Sequence, residues 1–314
     1  MRRPSPRLVL TCVVFFLLLL APLATIVAGN DYPLIVLTRI VILGMAAVSL
    51  DLLLGYGGMV SLGHAAFFGI GAYAIGIMTA EDVTSGFVQW PLAILAAAFA
   101  ALVIGALSLR TRGVYFILVT LAFAQMVYFV SVGLDAYGGE DGLVIPTRSK
   151  FGFVNLSDRT TFYFLCLAFL FATIALVAHL ARTRFGLVLR GAAMNERRMR
   201  ALGFPVYRYR LAAFVMAGGL CGLAGILAGN HSEFVSPSIM SWGRSADLII
   251  MVVLGGMGSA IGPLIGAMVF MLAEETLSHV TTYWQLIFGP LILIFVRFAR
   301  SGLVGLFPER GGDG

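Results

Sequence analysis

The chain has 314 residues, of which 60% are hydrophobic and 11% charged, with a mean hydropathy of +0.98. Water-facing domains carry about a quarter charged residues, so this composition excludes a soluble globular fold and predicts an all-α, polytopic integral membrane protein. Basic residues number 21 and acidic residues 15, a formal net charge of +6, and the sole lysine, Lys150, lies in Arg-Ser-Lys-Phe-Gly. A Walker A loop ends in Gly-Lys-Ser/Thr to hold nucleotide phosphates, so no nucleotide or other cofactor is expected on this chain itself. Cys12, Cys166 and Cys221 each lie inside an apolar run and read as small hydrophobes.

The first apolar run, Leu8–Ala28, follows Met1-Arg-Arg-Pro-Ser-Pro-Arg7. It is longer than the h-region of a signal peptide and lacks a clean small-x-small site, so an uncleaved first helix is expected. Leu34–Leu54 is the second candidate span and contains Asp51. The glycine-rich stretch Gly55-Tyr-Gly-Gly-Met-Val-Ser-Leu-Gly-His64 leads into the third, Val60–Ala80, and predicts an interrupted helix. Ionisable and polar groups are costly at membrane depth and point by default to function. Asp51, Ser61 and His64 are therefore translocation-pathway candidates. The competing readings are a salt bridge from Asp51 to Arg39 and a hydrogen-bonded packing role for His64. Pro91–Leu109 and Gly113–Gly133 flank a tight turn carrying Arg110 and Arg112, and an acid-containing segment, 134–160, precedes Thr161–Ala181.

Eight arginines and one acid, Glu196, fall between Arg182 and Arg210, so this loop alone nets +7. Val188, Ala192, Asn195, Met199 and Leu202 repeat at helical spacing, which predicts one amphipathic helix over about 185–202. Gly203 supplies its C-cap position and Pro205 blocks continuation. The loop reads either as a topology determinant resting on anionic lipid headgroups or as a docking element for a cytoplasmic partner. A helix clamped between two spans does not suit nucleic acid.

Leu211–Gly229 carries two small-xxx-small pairs, Gly218/Gly222 and Gly225/Gly229, which read as close helix packing. Ala246–Ala273 must break near Gly255-Gly-Met-Gly-Ser-Ala-Ile-Gly-Pro263, either crossing twice or dipping in and returning, and Tyr283–Phe298 follows. Gly57–Ser61 and Gly255–Ser259 share the pattern G-G-M-x-S, each after an apolar run holding an aspartate, Asp51 or Asp247. Interrupted helices in corresponding places point to a transport pathway. Allowing for such broken or re-entrant segments, about 8–10 transmembrane helices are expected.

Cytoplasmic loops gather arginine. Arg2, Arg3, Arg7, Arg110, Arg112, Arg297, Arg300 and Arg310 thus place both termini inside, leaving Glu81, Asp82 and 134–160 outside. No His-Glu-x-x-His, Gly-x-Ser-x-Gly or paired-cysteine spacing occurs. Glu275 and His279 stand four apart without further ligands, so no metal site and no catalytic residue is expected. An intramembrane hydrolase is the alternative of another class, and it lacks a constellation.

Four segments in order resemble the LivM-type permeases of ATP-binding-cassette importers for branched-chain amino acids. They are Leu50-Asp through Ala-Tyr73, Arg112-Gly-Val-Tyr-Phe with Gly138-Gly-Glu-Asp-Gly-Leu143, Asn195-Glu-Arg-Arg-Met-Arg-Ala-Leu-Gly203, and Leu254-Gly-Gly-Met-Gly-Ser through Ala267. The resemblance spans nearly all of 1–314 and implies a single transmembrane permease domain in a bacterial inner membrane. It further implies a LivH-like permease partner, two cytoplasmic ATPases that hydrolyse ATP, and a periplasmic binding protein received by 134–160. By the same resemblance Tyr115 joins the pathway candidates, and Asn195, Glu196, Arg197, Arg200, Leu202 and Gly203 form the segment that couples to an ATPase. Met199-Arg-Ala-Leu is more basic than the Ala/Glu-rich version the family leads one to expect. Permeases for urea, short amides or aromatic acids are very similar, so these remain alternative substrates.

Overall fold

The computed structural model describes residues 11, 13–22, 31–152, 156–281, 283–298 and 302–305. The arginines at 2, 3, 7, 300 and 310, and Cys12, lie outside them, as do the flanks of the first predicted helix. A short apolar helix, α1, runs Val13–Pro22. It is followed by α2 (Tyr32–Leu54), α3 (His64–Ala80), α4 (Gly86–Ser108), α5 (Val114–Val132), α6 (Arg159–Arg182), α7 (Arg184–Met194) and α8 (Glu196–Ala201). The chain continues through α9 (Val206–Ser232), α10 (Trp242–Gly255), α11 (Gly262–Val280), α12 (Trp284–Phe298) and α13 (Gly302–Gly305). Among the described residues, five helices (α2, α4, α5, α6 and α9) are long and apolar enough to cross a membrane. Three shorter apolar helices and the α10–α11 pair carry most of the remaining apolar sequence. The chain is thus an all-helical, multi-pass membrane protein.

The centre is α2, which packs on α6, α9, α10 and α11. From Ile40 to Leu54 every residue except Leu43 is buried, so it is apolar all round as a wholly enclosed helix must be. Opposite it in character stand α4 and α5, whose Leu95, Phe99, Phe129 and Val130 are exposed. On α4 only a stripe including Ala93, Ala97, Ala101 and Gly105 is buried, and it meets the glycines of α9. A Cβ on Gly218 would lie 2.4 Å from that of Ala101, and one on Gly222 2.4 Å from that of Ala97. The small-residue face is therefore a packing face, as its spacing implied. Helix α4 also starts earlier than Pro91. Because Pro91 stands only five residues from the helix start, it disturbs only the helix's first turns.

The two ends of the bundle differ. At one end lie the α4–α5 turn, the start of α9, and α7 with α8. At the other, Leu143–Val144 pairs antiparallel with Phe234–Val235. A buried polar chain pins this second end. Ser149 N–H donates to Asn230 Oδ1 (2.8 Å), Trp90 Nε1–H to Ser149 Oγ (3.1 Å), and Ser149 Oγ–H to Gln89 Oε1 (2.5 Å). Asp158 caps α6 there, and the Thr161 hydroxyl and amide that donate to it hold its carboxyl below the usual carboxylate range.

Candidate functional site

The two G-G-M-x-S stretches, far apart in sequence, meet. Asp51 lies buried in the last turn of α2, and its Oδ1 accepts the Gly258 N–H at 2.8 Å. Gly55 lies directly against Gly258: a Cβ there would stand 2.1 Å from the Gly258 nitrogen. Gly58 (φ +62°), Gly256 (+117°) and Gly258 (+72°) occupy the left-handed half of backbone space, which side chains resist and which breaks both helices at this junction. Asp51, Gly57 and Gly256 are buried at this junction, whereas Gly58, Met257 and Gly258 are exposed. The Asp51–Arg39 salt bridge, the competing reading of Asp51, is not formed. Arg39 reaches Glu274 on α11 instead (3.9 Å), because Arg39 stands three turns from Asp51 along the same helix.

Ser61 and His64 are also buried. Ser61 Oγ accepts the Gly63 N–H at 3.3 Å, closing its own turn. His64 Nε2 lies 2.9 Å from Ser49 Oγ. That hydroxyl donates to Ala46 O at 2.7 Å, so it accepts from Nε2–H, and Nδ1 is left buried with no partner. Next to it Ala65 N–H donates to Ser245 Oγ at 3.0 Å, tying α3 to α10. Asp51, Ser61 and His64 thus flank one broken region, the first two residues holding its turns and His64 joining α3 to α2. Tyr115 is not brought to them; it lies in the first turn of α5, 74% exposed. Ser49 also belongs to the junction and carries no signal of its own in the sequence, nor does the pairing of the Gly258 amide with Asp51.

The arginine loop differs from its prediction. It forms two helices, because Asn195 adopts an extended conformation (φ −154°, ψ 95°) and caps α8 by accepting Arg198 N–H at 3.0 Å. The supposed stripe splits with it: Val188 and Ala192 are buried, Met199 is half-buried, and Asn195 and Leu202 are exposed. Gly203 does take the left-handed conformation after α8 (φ +85°). Glu196 is the hub of this end. It pairs with Arg112 at the α4–α5 turn (3.2 Å), with Arg210 on α9 (3.0 Å) and with Arg200 one turn on. Its side chain is only 16% exposed, whereas Met194 (89%), Leu202 (65%), Arg197 and Arg198 face outward.

A family model described as branched-chain amino acid transport system / permease component matches residues 32–296. The chain is 28% identical to the high-affinity branched-chain amino acid transport system permease protein LivM of Escherichia coli, over 84% of this chain and 67% of that protein. Probable LivM of Methanocaldococcus jannaschii is 24% identical over 70% of this chain and 68% of its own length. A probable LivH permease of the same archaeon is 30% identical over 49% of each. No solved structure matches.

Proposed function

The chain belongs to the permease-component family of branched-chain amino acid transport systems, and we propose that it forms half of the translocation pathway of an ATP-binding-cassette importer. The cargo is a branched-chain or similar small apolar amino acid, and the other half is a second, LivH-like permease. The similarity to both LivM and LivH proteins supports this pairing, since two related chains can enclose one pathway between them. ATP is bound and hydrolysed by two cytoplasmic subunits, and a periplasmic protein delivers the substrate.

One observation carries the division of labour. The end of the bundle bearing Arg182–Arg210 presents an outward face of Met194, Leu202, Arg197 and Arg198 on short helices braced to the spans through Glu196. A motor seated on that face moves a braced element, not a loose loop. By arginine placement this end is cytoplasmic, and the 134–160 end faces the binding protein across the bacterial inner membrane. The junction of Asp51 and Gly258 lies toward the cytoplasmic end of the path, where Asp51, Ser61 and His64 position interrupted backbone. Tyr115 and the apolar faces of α4 and α5 are left for lipid or the second permease.

Reconstitution with the second permease, both ATPases and the binding protein in proteoliposomes tests this reading. ATP-dependent uptake of radiolabelled leucine is expected, with urea and benzoate left outside. Uptake of urea or benzoate in preference to leucine would overturn the assigned cargo.

A further inference from the structure

A cavity of about 520 Å³ opens between α2, α3, α9 and α10, on the half of the bundle away from the arginine loop. Its size suits a small ligand, for which pockets of roughly 300–1,000 Å³ are usual. Ile42, Leu248 and Met251 supply apolar wall, and Arg39, Arg244 and Asp247 bring charge into the same space. A narrower cavity of about 170 Å³ shares Ile35, His231 and Ser232 with it and reaches Arg148 and Glu233 at the 134–160 end. The large cavity therefore lies next along a route from that end.

The charges are arranged in an unusual way for a fold. Arg39 stands seven residues into α2, about 10 Å along the axis, where ionisable side chains are costly. Yet its nearest acid, Glu274, is 3.9 Å away, and Glu274 Oε2 is buried with no hydrogen bond. Arg244 and Asp247 stand 3.6 Å apart on the same helix, so their pairing joins no two elements. Ion pairs elsewhere close to hydrogen-bond length, Arg148–Glu233 at 2.9 Å and Arg159–Asp31 at 3.0 Å. Two cations and two acids thus stand at and behind the cavity wall, in balance and loosely engaged. A net-neutral zwitterion satisfies both signs at once. A carboxylic acid without an amine satisfies only the cations, and an uncharged amide neither.

Resting on the transport reading above, we propose that this cavity is a waypoint that reads the substrate as an α-amino acid. Arg39 and Arg244 receive the carboxylate, Asp247 receives the ammonium, and Ile42, Leu248 and Met251 enclose the aliphatic side chain. The guanidinium fork suits a carboxylate in two-point contact, and the unpaired capacity of both arginines is taken up when the substrate seats.

The test uses the full reconstituted complex with Leu43, a half-buried wall residue, changed to cysteine. Millimolar leucine is expected to slow maleimide labelling of Leu43→Cys several-fold. Isoamylamine and 4-methylpentanoate, each with the same apolar chain and one of the two charges, should not. Adding Asp247→Asn or Arg244→Gln should remove leucine's protection and raise the apparent KM for leucine uptake by about tenfold or more. Arg244→Lys should restore part of both. Equal protection by all three compounds, or none by leucine while the complex still imports it, would overturn the waypoint and leave the transport reading standing. Failure of the unsubstituted complex to import leucine would overturn the reading on which the waypoint rests. Should a charge variant fail to assemble, the comparison of the three compounds on Leu43→Cys alone still decides.

Discussion

At Asp51 a carboxylate buried in the last turn of a central helix acts on the backbone of another element, accepting the Gly258 N–H. Leaving a partly buried amide such as this one unpaired costs up to about 1–3 kcal/mol, and Gly55 and Gly258, which meet at the contact, have no side chains to relax into the gap. Asp51→Ala is therefore expected to lower the thermal midpoint of the purified complex and to reduce leucine uptake. Asp51→Asn keeps an acceptor oxygen in place and should recover most of the stability. Uptake by the Asn variant then separates two roles. A tether predicts uptake close to the parent's, whereas a charge required by the passing substrate predicts a stable complex that does not transport. His64 is a different kind of residue: it bonds to Ser49 and keeps one buried nitrogen without a partner, and nothing in the sequence distinguished a packing role from a pathway role.

At the scale of elements, the arginine loop shows what periodicity conveys and what it conceals. Asn195 fell on a helical stripe with Val188, Ala192 and Met199, so the stripe read as one helix. The stronger signal was local. Asparagine followed by an acid in the next turn is a helix start, and it cuts the loop in two. The division matters because it separates inward and outward work. Glu196, which the sequence offered as a contact for the motor, spends its charge on Arg112, Arg200 and Arg210. Hydrogen bonds to charged groups are worth about 1.5–3 kcal/mol, so Glu196→Gln should loosen α8. The measurement is amide hydrogen exchange over 195–203, expected to quicken while the four-subunit complex still assembles. Met194→Ala with Arg197→Glu, on the outward face, should do the reverse: unchanged exchange within the permease but weaker retention of the ATPases. If exchange quickens and retention falls together in both variants, bracing and docking are not separate functions.

For the whole molecule, most spans were legible because each apolar run is bounded by glycines, prolines or charges, and the break after Gly255 announced itself through Gly256, Gly258 and Pro263. The meeting of the two broken stretches was not legible, since a hydrogen bond between Asp51 and Gly258 leaves no periodic trace. Nor were Arg244 and His231 marked out as lining one cavity, because the helices that bring them together are distant in sequence. What the sequence did carry was the means of close approach. Small residues recur on one face of α9, and membrane helices, lacking a hydrophobic drive toward each other, associate through such faces.

That face makes a graded prediction about the whole bundle. A Cβ on Gly225 would stand 1.8 Å from the Phe68 carbonyl oxygen of α3, and one on Gly71 of α3 would stand 2.1 Å from the Gly222 carbonyl oxygen. Both obstacles are backbone, so α3 and α9 must separate, carrying with them the start of α3 where His64, Ala65 and the junction sit. Overpacking of this kind costs typically about 1–3 kcal/mol and more where backbone must move. Gly219 is on the same helix, but its Cβ would meet only side chains, Ala98 at 3.6 Å and Ile94 at 3.9 Å, both ordinary contacts. Replacing a mid-helix glycine by alanine without a clash gains up to about 1 kcal/mol. Membrane abundance and thermal midpoint should therefore fall sharply for Gly225→Ala and Gly71→Ala and hold or rise for Gly219→Ala. If all three behave alike, α3 and α9 are not in backbone contact.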